Sequence, residues 1–173
     1  DTLLPWRAVL GNVEVGLEIQ GVPGRKRRER ARELIQMVGL NGFESKFPGE
    51  LSGGMRQRVA LIRTLAYDPD VILMDEPFGA LDAQTRVILQ NELLSIWRNT
   101  RKTFLVVTHD LSEAIILAHR LFIMTRRPGT IKRVHRIDLP EPRSAFKSRV
   151  TERFSTLFQE IWEAIGIEVG EEL

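Results

Sequence analysis

The sequence has 173 residues, 43% of them hydrophobic, which suits one domain of ordinary size, with or without a small appendage, and argues against wholesale disorder. Lys and Arg outnumber Asp and Glu only by 25 to 23, so the bulk charge predicts no broad nucleic-acid surface. The lack of cysteine excludes a disulfide framework and a thiolate metal site, and no apolar run approaches the roughly 20 residues that cross a bilayer.

The first 66 residues are predicted to be mostly helical. Apolar residues recur at helical spacing after the turn residue Pro5, and again beyond a Gly-Val-Pro-Gly break at 21–24. Ser52 stands where an N-cap residue would begin a further helix. The three predicted helices therefore end or begin close to these signals, at about 5–20, 26–38 and 52–66.

From about residue 67 onward, short apolar runs alternate with helical segments. The predicted strands cover 71–74, 103–107, 121–125 and 131–137, and the predicted helices cover 83–98, 110–119 and 146–165. Residues 139–142 are predicted to be a linker. Because the runs at 71–74 and 103–107 are almost entirely apolar, we expect both strands to be buried on both faces of a sheet. The alternation predicts an α/β layered core.

A hydroxyl and two glycines open the third predicted helix, within the octet Leu-Ser-Gly-Gly-Met-Arg-Gln-Arg at 51–58. Helix N-termini favour anions, because free N–H groups and the positive end of the helix dipole point there. Gly53 and Gly54 would let backbone amides approach a phosphate, and Ser52 would add a hydroxyl donor. Taken alone, Ser-Gly-Gly is also the ordinary start of a Ser-capped helix.

Polar residues that could bind a metal ion or take part in catalysis follow the two apolar strands. Asp75 and Glu76 come directly after 71–74, and in α/β sheets ligands bind at the carboxyl ends of strands. One carboxylate there suits Mg²⁺, and a second suits the activation of water. His109 ends the next strand, where an imidazole could donate to a γ-phosphate, and Asp82 is placed to cap a helix. Each residue alone also has an ordinary structural interpretation, as a solvated pair, a packed histidine or a cap.

The order and spacing of these motifs resemble those of the ATP-binding subunit of an ABC transporter. The octet resembles the signature motif, and Val-Ile-Leu-Met-Asp-Glu-Pro at 71–77 resembles the Walker B motif. The opening Asp-Thr-Leu-Leu-Pro-Trp, with Asn12 and Val13, and the segment 74–82 are similar to importers of the nitrate, sulfonate and taurine group. The resemblance covers essentially the whole chain. It implies an α/β fold, a partial P-loop NTPase with a helical subdomain and a mostly parallel sheet core lacking its N-terminal strands.

The resemblance also implies a role for each candidate site residue, with ATP and Mg²⁺ as cofactors. Asp75 would serve Mg²⁺, Glu76 would be the general base and His109 would be the switch histidine. Asp82, counted among the nucleotide-binding residues, would lie in the loop that communicates across a dimer. The residues that would contact ATP held by the opposite subunit are Ser52, Gly53, Gly54 and Gln57.

One expected motif does not occur in these 173 residues, the phosphate-binding loop Gly-x-x-x-x-Gly-Lys-[Ser/Thr]. The chain opens at Asp1 without Met on an apolar, Trp-containing segment, which we interpret as a start inside a longer protein. The phosphate-binding loop, the adenine-stacking loop and the glutamine of the Q-loop would then lie upstream. Residues 1–66 would be the rest of the Q-loop and the helical subdomain, 67–139 the ATPase core, and 140–173 a C-terminal linker and helix.

The partners implied by the resemblance are a second ATPase subunit, in a homodimer or a pair, and a membrane permease at the cytoplasmic face of the plasma membrane. The permease would contact the region near Leu3 and Trp6, although by composition alone Trp6 suits a core position. A periplasmic or lipid-anchored substrate-binding protein would deliver a small anion such as nitrate, sulfonate or taurine. The chain alone would be inactive without the phosphate-binding loop, and no nucleic acid is implied.

Two other classes of protein are left open. A soluble ABC-type ATPase of DNA maintenance would insert long coiled coils between the motifs, and the helical region here is too short for sustained heptads. A degenerate, non-catalytic or regulatory ABC module would have lost its phosphate-binding loop. The retention of Asp75, Glu76 and His109 argues against such decay.

Overall fold

The computed structural model describes residues 3–79 and 81–166, in which helices and strands follow one another along the chain. In order they are α1 (Val9–Ile19), α2 (Gly24–Met37), α3 (Gly53–Ala66), β1 (Val71–Asp75), α4 (Ala83–Thr100), β2 (Thr103–Val107), α5 (Leu111–Leu117), β3 (Arg120–Met124), β4 (Ile131–Arg136) and α6 (Glu152–Gly166). Single 3₁₀ turns lie at Pro48–Glu50 and Lys147–Val150.

The first three helices pack around one apolar core. Val13, Leu34, Ile35, Val59 and Ile62 are completely buried in it. Burial of such a side chain stabilises a fold by about 1.5–3 kcal/mol relative to leaving it exposed. The helical character predicted for this half of the chain is thus supported by a stripe of apolar residues on each helix.

The loop before α1 is held by the buried side chain of Asn12. Its Oδ1 accepts the N–H of Leu4 at 2.8 Å, and its Nδ2 donates to the carbonyl of Arg7 at 2.7 Å. The sequence predicted a helix directly after Pro5. Because residues 4–7 form this anchored turn, α1 begins at Val9 instead.

The strands form two separate pairs in the described part of the chain. β1 and β2 run parallel, with Val71 opposite Thr103 and Asp75 opposite Val107. β3 and β4 run antiparallel, with a bulge at Ile123 and Met124. The parallel pairing places the ends of β1 and β2 side by side, and this edge carries Asp75 and the residues that follow both strands.

The prediction that β1 and β2 are buried on both faces is wrong for the described residues. Ile72 is 2% exposed, but the side chains that point the other way are 50–73% exposed: Val71, Leu73, Leu105 and Val107. No element within residues 3–79 and 81–166 covers that face, so burial follows the period of two of a half-covered sheet.

A second apolar core joins α5, β3 and α6 in the C-terminal part of the chain. Ile115, Ile116, Leu157 and Ile161 are buried there almost completely. Leu139 belongs to the same core at 4% exposure, so the predicted linker at 139–142 is anchored at its first residue, whereas Pro140, Glu141 and Pro142 are exposed.

The final helix predicted over 146–165 is divided in two at Thr151. This residue is extended, with ψ of 147°. Its Oγ1 donates to the carbonyl of Ser148 at 2.7 Å and accepts the N–H of Phe154 at 3.3 Å. The hydroxyl therefore closes one turn and begins the next helix, an alternative that helical spacing alone does not reveal.

Candidate functional site

The two carboxylates of the candidate site lie where β1 ends. Asp75 is the last residue of the strand and is exposed. The N–H of Glu76 donates to the carbonyl of Val107 at 2.9 Å, which ties the turn to β2. Glu76 has a φ of 46°, a left-handed conformation that costs about 1–3 kcal/mol for a residue with a side chain. The neighbouring strand thus holds Glu76 in a strained turn.

The carboxylate of Glu76 contacts His109, which follows β2. Oε1 of Glu76 lies 2.7 Å from His109 Nδ1 and accepts the backbone N–H of His109 at 3.0 Å. The histidine side chain is 83% exposed and the glutamate side chain 39% exposed. A carboxylate and an imidazole, 33 residues apart in sequence, therefore meet at a surface that solvent reaches.

The Glu76 contact changes the acid–base behaviour of His109. The hydrogen bond that the Glu76 carboxylate accepts and the negative charge of that carboxylate raise the pKa of His109 above its ordinary value, because both favour the protonated ring. The charge-assisted contact is therefore present below the ordinary histidine pKa of about 6.5. It is lost as the pH rises through the raised pKa of the folded protein.

Glu76→Gln is expected to return the pKa of His109 towards its ordinary value, since the amide keeps the shape of the side chain but removes its charge. An NMR titration of the imidazole signals measures this directly. His119 and His135 are internal controls, because burial is the main factor that lowers the pKa of both. If His109 titrates at the same pH with and without the Glu76 carboxylate, the contact is not formed in solution.

Ser52 and the two glycines begin α3 as predicted. The Oγ of Ser52 accepts the N–H of Met55 at 3.3 Å and caps the helix. A Cβ on Gly54 would lie 2.9 Å from Cγ2 of Thr85, so this buried glycine lets α3 approach α4. The structure therefore gives Gly54 a packing role, whereas Ser52 is exposed at the helix start.

Asp82 caps α4 and stands beside the start of α3. Its Oδ1 accepts the N–H groups of Gln84 at 3.1 Å and Thr85 at 3.0 Å. The pKa of Asp82 is lowered mainly by its hydrogen bond with the Thr85 side chain and also by these two backbone bonds. Leu81 packs 3.8 Å from the position of a Cβ on Gly53. Ala80, in the same predicted motif, lies outside the described residues.

Comparison with known proteins finds similarity to one kind of protein. Residues 1–79 match the family model described as ABC transporter. An uncharacterised ABC transporter ATP-binding protein of Methanocaldococcus jannaschii is 58% identical over 142 residues, covering 82% of this chain and 53% of that protein. A taurine import ATP-binding protein of Rhizobium johnstonii is 46% identical over 167 residues, covering 93% of this chain and 63% of that protein.

The chain resembles the ATP-binding proteins of ABC transporters. The predicted fold class is confirmed, because a solved dimeric ATP-binding cassette in a post-hydrolysis state, bound to ADP and Pi, matches with a TM-score of 0.64 at 35% identity. That match covers 79% of this chain and 60% of the solved one. The chain spans between half and two thirds of the length of these relatives, from 53% to 63% of the curated ones.

The candidate ABC site residues fall into distinct places in the described structure. Asp75, Glu76 and His109 share the edge at the ends of β1 and β2. Ser52 bonds within its own helix. Gln57, one turn further along α3, lines a small cavity together with apolar residues such as Phe78. Gln57 is thus placed differently from the exposed Ser52, although both were predicted to contact the same ATP.

Two polar residues that connect the loop after β1 with the loop after β2 were not predicted as site residues. Arg86 donates from Nη2 to the carbonyl of Leu81 at 3.1 Å, and its Nη1 lies 3.5 Å from Oδ2 of Asp110. The only signals in the sequence are an arginine four residues after the cap Asp82 and an aspartate directly after His109. Neither signal shows that the two side chains meet.

The donor set suits Mg²⁺ bound beside phosphates. Among residues 3–79 and 81–166, no three His, Asp or Glu side chains form a cluster that could hold a metal ion by themselves. Mg²⁺ commonly uses one or two carboxylates together with phosphate oxygens and water, and the exposed Asp75 fits that requirement. Across the same described ranges, no helix combines the length and the apolar character needed to cross a bilayer.

Proposed function

We propose that this chain is the larger, C-terminal part of an ATP-hydrolysing subunit that energises import of a small anion, such as nitrate, sulfonate or taurine, through a membrane permease. The observation that carries the proposal is the 2.7 Å contact between Glu76 and His109 at the ends of two parallel strands. The sequence similarity to taurine import ATP-binding proteins supports the substrate group.

In this proposal the residues after β1 and β2 perform the chemistry. Asp75 would hold Mg²⁺, which neutralises phosphate charge when it is bound. Glu76 would accept a proton from the attacking water, a task that suits a carboxylate with access to solvent. His109 would donate to the γ-phosphate, and its raised pKa favours the protonated form that donates from both ring nitrogens.

A second subunit would complete each ATP site. The start of α3 offers backbone N–H groups and the Ser52 hydroxyl at an exposed helix N-terminus, which suits a phosphate group. We infer that this surface contacts ATP held by the opposite subunit. Asp82 would lie in the loop that connects the two ATP sites of the dimer. The relative with a solved structure is itself dimeric and is bound to ADP and Pi.

The surface around Trp6 is the proposed contact with the permease, at the cytoplasmic face of the membrane. Trp6 is 70% exposed on the loop that Asn12 anchors, whereas Leu3 is 9% exposed. An open groove beside this loop is lined by residues of both polar and apolar character, among them Arg7, Leu10 and Glu14. An exposed aromatic beside such a groove has the character of a binding hot spot. A core position for Trp6 is excluded within the described residues.

Trp6→Ala in the longer protein is expected to weaken assembly with the permease more than it lowers basal ATP hydrolysis, because an exposed anchor contributes to binding and little to folding. Permease pull-down and ATPase rate in the same preparation measure the two effects. Trp162→Ala is a matched control, since Trp162 is 61% exposed on α6. Equal losses of assembly and hydrolysis would indicate a folding role, and intact assembly would remove Trp6 from the interface.

Reconstitution tests the proposed function as a whole. The longer protein and its permease are placed in proteoliposomes, and ATP hydrolysis is measured with a binding protein loaded with taurine, another sulfonate or nitrate. Stimulation by one of these loaded proteins is expected. Stimulation by duplex DNA in their place would favour an ATPase of DNA maintenance. A longer protein that lacks a phosphate-binding loop and hydrolyses no ATP would favour a degenerate module.

A further inference from the structure

Arg86, in the first turn of α4, contacts two loops at once. Its Nη2 donates to the carbonyl of Leu81, the residue before the cap Asp82, at 3.1 Å. Its Nη1 lies 3.5 Å from Oδ2 of Asp110, at the start of α5. The two side chains of this ion pair are 31% and 32% exposed. One guanidinium thus joins the loop that contains Asp82 to the loop that contains His109.

The two carboxylate oxygens of Asp110 have different partners. Oδ1 accepts the N–H of Glu113 at 3.0 Å and caps α5, which leaves Oδ2 for Arg86. Asp110 directly follows His109, whose backbone N–H and ring both contact Glu76. A displacement of Asp110 would therefore act on the His109–Glu76 contact through a single peptide unit.

We propose that Arg86 is a positioning residue that keeps the Asp82 loop and the His109 loop at a fixed separation. The inference rests on the proposed function, in which the Asp82 loop meets the second subunit and His109 meets ATP. Movement of the Asp82 loop on dimer formation is passed by the guanidinium to Asp110 and so to the His109–Glu76 pair. Arg86 itself touches no reacting atom.

A role in stability alone is the simpler alternative, and the melting temperature of the variants distinguishes it. About a third of each side chain remains in contact with solvent, so the pair contributes only modestly to the free energy of unfolding. Loss of Arg86 should therefore leave the melting temperature nearly unchanged. A clear loss of turnover in a variant that melts normally would not follow from a stabilising role.

The test uses the longer protein that carries a phosphate-binding loop, with Arg86→Gln, Asp110→Asn and the double variant. Asparagine caps helices about as well as aspartate, so Asp110→Asn removes the ion pair and keeps the cap of α5. Arg153→Gln is the matched control, because Arg153 forms a similar ion pair with Asp138 at 2.6 Å on α6, outside the candidate site.

Each single substitution is expected to lower kcat about tenfold to a hundredfold, in line with the cost of small misplacements of catalytic groups. KM for ATP and the melting temperature should stay close to those of the unsubstituted protein, and Arg153→Gln should leave kcat unchanged. The double variant should be no slower than the slower single variant, because both changes remove one interaction. The proposal is overturned if the losses of kcat in the two single variants multiply in the double variant. It is also overturned if either single variant has a normal kcat.

Glu76→Gln, measured alongside, separates this inference from the proposed function. If Glu76→Gln stops hydrolysis while Arg86→Gln and Asp110→Asn do not slow it, only the positioning role is wrong. If Glu76→Gln leaves hydrolysis intact, the proposed function of the site is wrong as well.

Discussion

Glu76→Gln is expected to slow ATP hydrolysis about 10²–10⁴-fold in the longer protein that carries a phosphate-binding loop, the range typical of a lost general base. Glutamine keeps the shape of the side chain but cannot accept the proton of the attacking water. Binding of ATP should be retained, because the phosphates are held by other groups. Hydrolysis measured at saturating ATP and equilibrium binding of a nucleotide analogue test the two statements together.

The control for this substitution is Glu163→Gln, on the exposed side of α6, where the carboxylate contacts Gln159. It should leave turnover unchanged. His109→Ala should also impair turnover, through loss of the contact with the γ-phosphate. Near-normal turnover in Glu76→Gln would show that another group acts as the base.

The polypeptide of these 173 residues is expected to hydrolyse no ATP above background. Its sequence contains no Gly-x-x-x-x-Gly-Lys-[Ser/Thr], and in P-loop ATPases the backbone amides and lysine of that loop cradle the phosphates. Phosphate release by the purified chain, compared with the same chain carrying Glu76→Gln, measures this. Turnover that Glu76→Gln abolishes would show that these residues form a working site by themselves.

Local signals in the sequence predicted much of the fold. The caps at Ser52 and Asp82 were predicted because an N-cap side chain bonds to N–H groups only two or three residues away. The strand at 103–107 has the predicted bounds, and α4 ends two residues later than predicted, at Thr100. Such features depend on neighbouring residues, which a single sequence contains.

Features that depend on distant residues were less predictable. The apolar composition of β1 and β2 predicted burial on both faces, yet Leu73 is 73% exposed, because burial depends on which elements cover a sheet. Thr151 divides the final helix through two hydrogen bonds of its hydroxyl, which compete with helical spacing.

The candidate site shows the same division. The sequence predicted that Glu76 and His109 each follow a strand, but it did not predict that they meet. Their contact arises because the ends of adjacent parallel strands share one edge of a sheet. The contact of Arg86 with Asp110 spans 24 residues and involves no motif, so no pattern in the sequence indicates it. The packing role of Gly54 depends on Thr85 of another helix and was likewise not predicted.

The central claim is that the start of α3 faces ATP held by a second subunit, and ATP-dependent dimerisation of the longer protein tests it most directly. In a Glu76→Gln background, which should preserve bound ATP, sedimentation is measured with ATP and with ADP. Adding Ser52→Asp retains a good helix cap but places a negative charge where the phosphate is expected, and Ser52→Thr is the matched neutral control. An ATP-dependent dimer is expected, which Ser52→Thr keeps and Ser52→Asp abolishes. A protein that stays monomeric with ATP, or a dimer that Ser52→Asp leaves intact, would contradict the claim.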